Sequence, residues 1–146
     1  IRTVARFERS VAALKPAEAT SGNAANAGKL RLASGALETV GDVFSRFLIT
    51  YGSGSGLRGG KYTYGRNGSK YVFQLNRVKW TDDLEVSGTM QWYLSSGNVT
   101  ASVTLRQGGK NMGNLSIAWN DLKTSAIATL TGTISGDAVR AKRIAP

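Results

Sequence analysis

Histidine and cysteine are absent from this 146-residue chain, and the two absences remove most of the familiar catalytic chemistry. Without imidazole there is no Ser-His-Asp triad, no histidine general base and no histidine-ligated metal. Without thiols there is no cysteine nucleophile, no zinc-thiolate site and no disulfide. Carboxylates are scarce as well, nine in all, and their one cluster is Asp82, Asp83 and Glu85. Paired carboxylates can run glycoside hydrolysis. Here, though, Thr81-Asp82-Asp83 falls between two strand-like runs, where the solvated carboxylates of a turn are ordinary. The sequence therefore assigns no catalytic, cofactor-binding or metal-binding residue, and catalysis by the chain alone is not expected. Long apolar runs are missing too. None approaches the ~20 residues that cross a bilayer as a helix, so no membrane span is expected.

What is present is a globular balance, 41% hydrophobic and 19% charged, in a chain of single-domain length. Its first third is mixed. Val4, Phe7, Val11 and Leu14 recur at steps of three and four and predict a short helix, which Lys15-Pro16 ends because proline disfavours helical geometry in the residue before it. Thr20 to Gly28 has the small, polar composition of a linker, so residues 1–27 read as a helix and linker ahead of a β-rich domain over 28–146. Leu30 and Leu32 alternate with Lys29 and Arg31 as a short strand would. Leu37, Val40, Phe44, Phe47 and Leu48 then fall on one helical stripe, with Glu38, Asp42 and Arg46 off it. A helix to about Leu48 is predicted. Gly52 to Gly60 reads as a glycine-rich connector.

From Lys61 onward the period becomes two. Leu84, Val86, Gly88, Met90, Trp92 and Leu94 fall on one face of a strand, with Glu85, Ser87, Thr89, Gln91, Tyr93 and Ser95 on the other. Similar runs over 99–106 and 114–119 are separated by turn signals such as Ser96-Gly97-Asn98 and Gly108-Gly109. The fold class expected is mainly β: an antiparallel meander forming a barrel or sandwich, with one or two helices in the N-terminal third. Its core should contain Phe73, Leu75, Val86, Met90, Trp92, Val103, Leu105, Leu115, Ile117, Trp119, Leu130 and Ile134. A local pattern recurs in Val86-Ser87-Gly88-Thr89-Met90 and Leu130-Thr131-Gly132-Thr133-Ile134, with a weaker echo at Gly113 to Ile117. An inward glycine relieves crowding where a strand bends sharply; a repeat built for binding is the alternative.

The net charge is +10 and it lies early. Residues 1–80 carry thirteen Lys and Arg against four Asp and Glu, the remainder six against five. Between Arg58 and Trp80 the cations interleave with aromatic rings, which is how charge and stacking combine in single-stranded nucleic-acid and acidic-glycan sites. Arg58, Lys61, Tyr62, Tyr64, Lys70 and Lys79 are the candidate partner-contact residues. The competing reading buries the rings as core and leaves the charges in water. Gly52 to Gly60 lacks the Gly-Lys-Ser/Thr ending of a phosphate-binding loop; its Arg58 is instead presented between glycines, where a partner can approach closely.

Four segments carry a family resemblance: Leu14-Lys15-Pro16 before the small-residue linker; the Leu37 to Leu48 helix with Thr39-Val40 and Asp42-Val43; Gly56-Leu57-Arg58-Gly59-Gly60; and Leu130 to Gly136 followed by Val139. From Phe7 to Ala141 the chain resembles the C-terminal β-rich accessory domain that follows the catalytic α/β-hydrolase unit in some secreted bacterial hydrolases related to tripeptidyl aminopeptidases. The resemblance implies that the Ser, Asp and His of a triad belong to a catalytic domain in the same or a companion chain. It thus implies a non-catalytic accessory domain of a larger exported protein. A secreted or cell-surface bacterial location is expected, in keeping with a Gly-, Ser-, Thr- and Asn-rich β texture. The functional alternative is an independent module binding an anionic polymer, an acidic glycan or a nucleic acid.

Overall fold

A computed structural model describes residues 27–56, 58–79, 84–120 and 127–144. One long helix, α1 (Ala27–Thr50), precedes eight strands: β1 (Gly54–Gly56), β2 (Gly59–Asn67), β3 (Lys70–Lys79), β4 (Leu84–Tyr93), β5 (Val99–Gln107), β6 (Lys110–Asn120), β7 (Ile127–Ile134) and β8 (Asp137–Ile144). The strands form one antiparallel meander in sequence order. The fold is mainly β, with a helix from the N-terminal third, as the residue periodicity predicts. Among the described residues β1 and β8 each pair on one side only, so the sheet stays open and the helix closes its inner face as a second layer.

The helix begins earlier than the stripe from Leu37 suggests. Leu30 and Leu32, which alternate like a strand, lie inside it, because Leu32, Ala33 and Ala36 extend the apolar stripe toward the N-terminus. Water sees mainly one face of α1: Glu38, Arg46 and Ile49 are exposed and Asp42 is half-buried, whereas Ala33, Ala36, Leu37, Val40, Val43, Phe44 and Phe47 are buried. Tyr51 ends the helix in the left-handed region, φ 48°, with its N–H donating to the Phe47 carbonyl. The glycine-rich run that follows is not a free connector. Gly54–Gly56 pairs with β2 as a short edge strand. The expected helix over Arg2 to Leu14, the linker as far as residue 26, Trp80 and the Asp82-Asp83 turn lie outside the described residues.

Cross-strand rows carry the core. Tyr62, Leu75, Gly88, Val103, Leu115 and Gly132 share one inner row, and Tyr64, Phe73, Met90, Ala101, Ile117 and Leu130 the next. Every core residue expected from the sequence is buried except Trp92, which is half-buried against the core. The inner glycines do what their periodic placement suggests. Gly88, Gly113 and Gly132 have φ of 148°, 144° and 155°, and a Cβ on any of them would stand 2.0–2.1 Å from a carbonyl oxygen of the neighbouring strand. Strands approach that closely only where the sheet coils tightly.

Two substitutions distinguish a coiling glycine from an ordinary one. Gly132→Ala should lower stability by more than about 1 kcal/mol, since both the φ and the neighbouring Asn114 carbonyl oppose a side chain. Gly65→Ala, in β2 with nothing within 4 Å of the added carbon, should change it by less than about 1 kcal/mol, in the stabilising direction. Urea titrations measure both, and equal losses would remove the steric account.

Candidate functional site

The candidate contact residues divide between the two faces of the sheet. Along β2, Tyr62 and Tyr64 point inward and Lys61 outward, as strand alternation requires. Tyr62 is only 3% exposed. Its hydroxyl and ring lie where a Cβ on Gly54 would sit, 2.5 Å from the oxygen, so β1 needs glycine there in order to cover it. Burial raises the Tyr62 phenol above its ordinary value, and the Arg46 guanidinium opposes the shift in part. Tyr62 is thus a core residue, whereas Tyr64 is 40% exposed.

Tyr64 belongs to a ring cluster at the C-terminal end of α1. Phe47 is its hub, with centroids 4.8 Å from Tyr51, 5.0 Å from Tyr64, 5.1 Å from Tyr71 and 4.7 Å from Phe73. Tyr71 stacks on Trp92 at 5.7 Å and 19°, and the Arg66 guanidinium lies 5.6 Å over the Tyr71 ring. Phe44 meets Trp92 edge-on at 5.2 Å. The rim of the cluster reaches solvent through Tyr64 and Tyr51 (48% exposed); Ile49 (73% exposed), two residues on from Phe47, leaves the helix on a different side. Lys70 is elsewhere, its ammonium 5.6 Å over Tyr93.

Arg58, Lys61 and Lys79 do meet, at a groove of about 370 Å³ that Ser55, Gly59, Gly60, Asn76, Arg77 and Glu85 also line. Two irregularities build it. The β2–β3 register shifts between Gly59 and Lys61, and the β3–β4 register shifts between Leu75 and Val78. Arg77 occupies the second bulge in the left-handed region, φ 50°. Its N–H donates instead to Ser87 Oγ at 3.0 Å. Opposite it, Gly60 has φ 78° and leaves no room for a Cβ, which would stand 2.0 Å from the Arg77 carbonyl oxygen. Lys79 Nζ lies 3.6 Å from Glu85 Oε1. Among the described residues that line it, the groove holds four cations and one carboxylate. Arg77 was not among the candidates the sequence offers, since nothing in Asn76-Arg77-Val78 signals a left-handed residue.

A second trough, of about 340 Å³, lies on the outer face of β4–β7 and is lined by uncharged residues, among them Thr89, Gln91, Thr100, Ser102, Ser116 and Thr131. It offers hydroxyl and amide hydrogen bonds and no charge. Among the described residues no group of three or more carboxylates, histidines or cysteines converges on a point where a metal could bind, and no helix is long and apolar enough to cross a membrane. Comparison with protein-family models, with curated proteins and with solved structures finds no match to this chain.

The Tyr62 shift has a pH consequence. The folded protein holds the phenol proton more tightly than the unfolded chain does. That contribution to stability is intact below about pH 10, the ordinary value, and is lost as pH rises through the folded-state value. Tyr62→Phe should flatten the alkaline arm of the stability profile above about pH 10. An arm just as steep in the variant would place the alkaline loss on other groups.

Proposed function

We propose that this chain is a non-catalytic accessory domain of a larger exported hydrolase, and that it docks the catalytic α/β unit of the same or a companion chain. The observation that carries this reading is the exposure of three large hydrophobic side chains, Ile49, Tyr51 and Tyr64, at the C-terminal end of α1 and on β2. Ile49 is an aliphatic side chain left in water near the end of a helix whose other faces are largely buried. Tyr51 and Tyr64 are held in place by Phe47, so ordering them on contact costs little entropy. Rigid, partly exposed aromatic rings are the composition of an interface centre rather than of ordinary surface.

The residues behind the family resemblance fit a structural role. Gly56 and Gly59-Gly60 frame the β1–β2 turn, and Leu130 to Ile134 is the second half of β7, whose turn to β8 is Ser135-Gly136. A sequence without histidine or cysteine agrees with an arrangement in which the nucleophile and base are supplied by the partner.

The coding sequence around this segment tests the assignment directly: it should encode an α/β-hydrolase unit in the same frame or in an adjacent gene, and a setting with neither would sink the proposal. With separately produced catalytic and accessory pieces, Ile49→Lys should abolish co-elution while shifting the stability of the accessory piece by no more than about 0.5 kcal/mol. Co-elution that survives this change would move the interface away from the rim.

A further inference from the structure

We infer that the groove at the paired β2–β3–β4 irregularities is a binding site for an oxyanion-bearing glycan, with Arg77 as its central contact. This assignment is independent of the docking rim, which lies on the other face of β2.

Three observations converge. The first is electrostatic: Lys61, Arg77 and Lys79 line one groove with Arg58, and Glu85 is the one carboxylate among its described lining residues. Grouped like charges repel, and an anion bound among them removes that repulsion as well as adding its own attraction. The second is conformational. Residues other than glycine, asparagine and aspartate rarely occupy the left-handed region, and one held there at a bulge points to a side chain being aimed. Arg77 is held by the Ser87 hydroxyl on its N–H and by the absence of a side chain at Gly60. An arginine so placed offers a planar fork suited to two oxygens of a carboxylate or phosphate.

The third observation selects the polymer. None of the described lining residues is aromatic, and Tyr62 and Tyr64 alternate to the opposite face of β2. The described groove therefore has no platform on which a base could stack, the usual requirement of a single-stranded nucleic-acid site. Ser55 and Asn76 instead flank the cations with groups that hydrogen-bond sugar hydroxyls. Charge, a guanidinium fork and small polar side chains without rings match an acidic glycan, whether its oxyanions are uronate carboxylates or phosphodiesters.

The intact chain is to be titrated by fluorescence anisotropy with labelled polygalacturonate, with a glycerol-phosphate polymer and with oligodeoxythymidylate of matched charge, each at about 150 mM salt, where exposed long-range attraction is screened. At least one glycan should bind, and the two glycan arms tell carboxylate from phosphate recognition. Arg77→Gly should weaken that binding about tenfold or more. Because glycine suits φ 50°, this variant keeps its fold, which a thermal melt confirms. Lys110→Gln removes the same charge from the first residue of β6 and should leave affinity within about twofold. The inference is overturned by failure of both glycans to bind, by equal losses in the two variants, or by tighter binding of the oligonucleotide than of either glycan.

Discussion

Among the described side chains of α1, from Leu32 on, one stripe faces water, so the helix has to be wrapped, and the wrapping sets the rest of this structure. Phe44 and Phe47 project from α1 into rings supplied by β2, β3 and β4, so one helical turn anchors three strands at once. A flat sheet could not follow such a surface. The meander coils tightly enough that carbonyl oxygens of one strand press on the inner face of the next at Gly88, Gly113 and Gly132. Any side chain at those points would push the strands apart and open the core that the helix occupies. The helix itself gives way at Gly35, where a Cβ would meet Leu84 at 2.9 Å.

Much of this was legible because parity and burial coincide along β3 to β7. Apolar residues at every second position there face a helix that covers them, and the glycines that interrupt the series lie in the same inward parity. Parity failed to separate Tyr62 from Tyr64. Both point inward, yet only Tyr62 lies under β1, while Tyr64 stands at the margin of the ring cluster. How far a covering element reaches is a tertiary quantity that no local pattern encodes. Leu30 and Leu32 misled for a different reason: two alternations span too short a stretch to distinguish period two from the beginning of a helical stripe. At Gly52 to Gly60, composition correctly indicates backbone freedom but says nothing about pairing. The edge strand there exists because Gly54 lets the Tyr62 ring lie against the backbone.

The bulge at Arg77 shows how an architectural device becomes a chemical one. An extra residue in β3 raises the local twist, which helps the sheet turn around α1. It also removes a backbone N–H from the ladder, and Ser87 answers it from the adjacent strand. The same irregularity turns Arg77 out of alternation, into the company of Lys61 and Lys79. In a regular strand the groove would lose its central cation. No sequence signal marks this, because αL occupancy by arginine depends on what the neighbouring strands leave open.

The alternation of β2 finally separates two kinds of surface within nine residues. Its inward side presents Tyr64 to the ring cluster and the exposed rim; its outward side presents Lys61 to the cationic groove. Neither proposed partner would occupy the other's place, so a docked catalytic unit and a bound glycan can be held together. The electrostatic demands of the two proposed contacts differ as well: the rim would act through apolar and aromatic contact, which salt affects little, whereas the groove would act through charge, which salt weakens. A domain built this way would tether an enzyme to an anionic polymer without touching the reaction, and its effect on turnover would come from raising the local concentration of substrate.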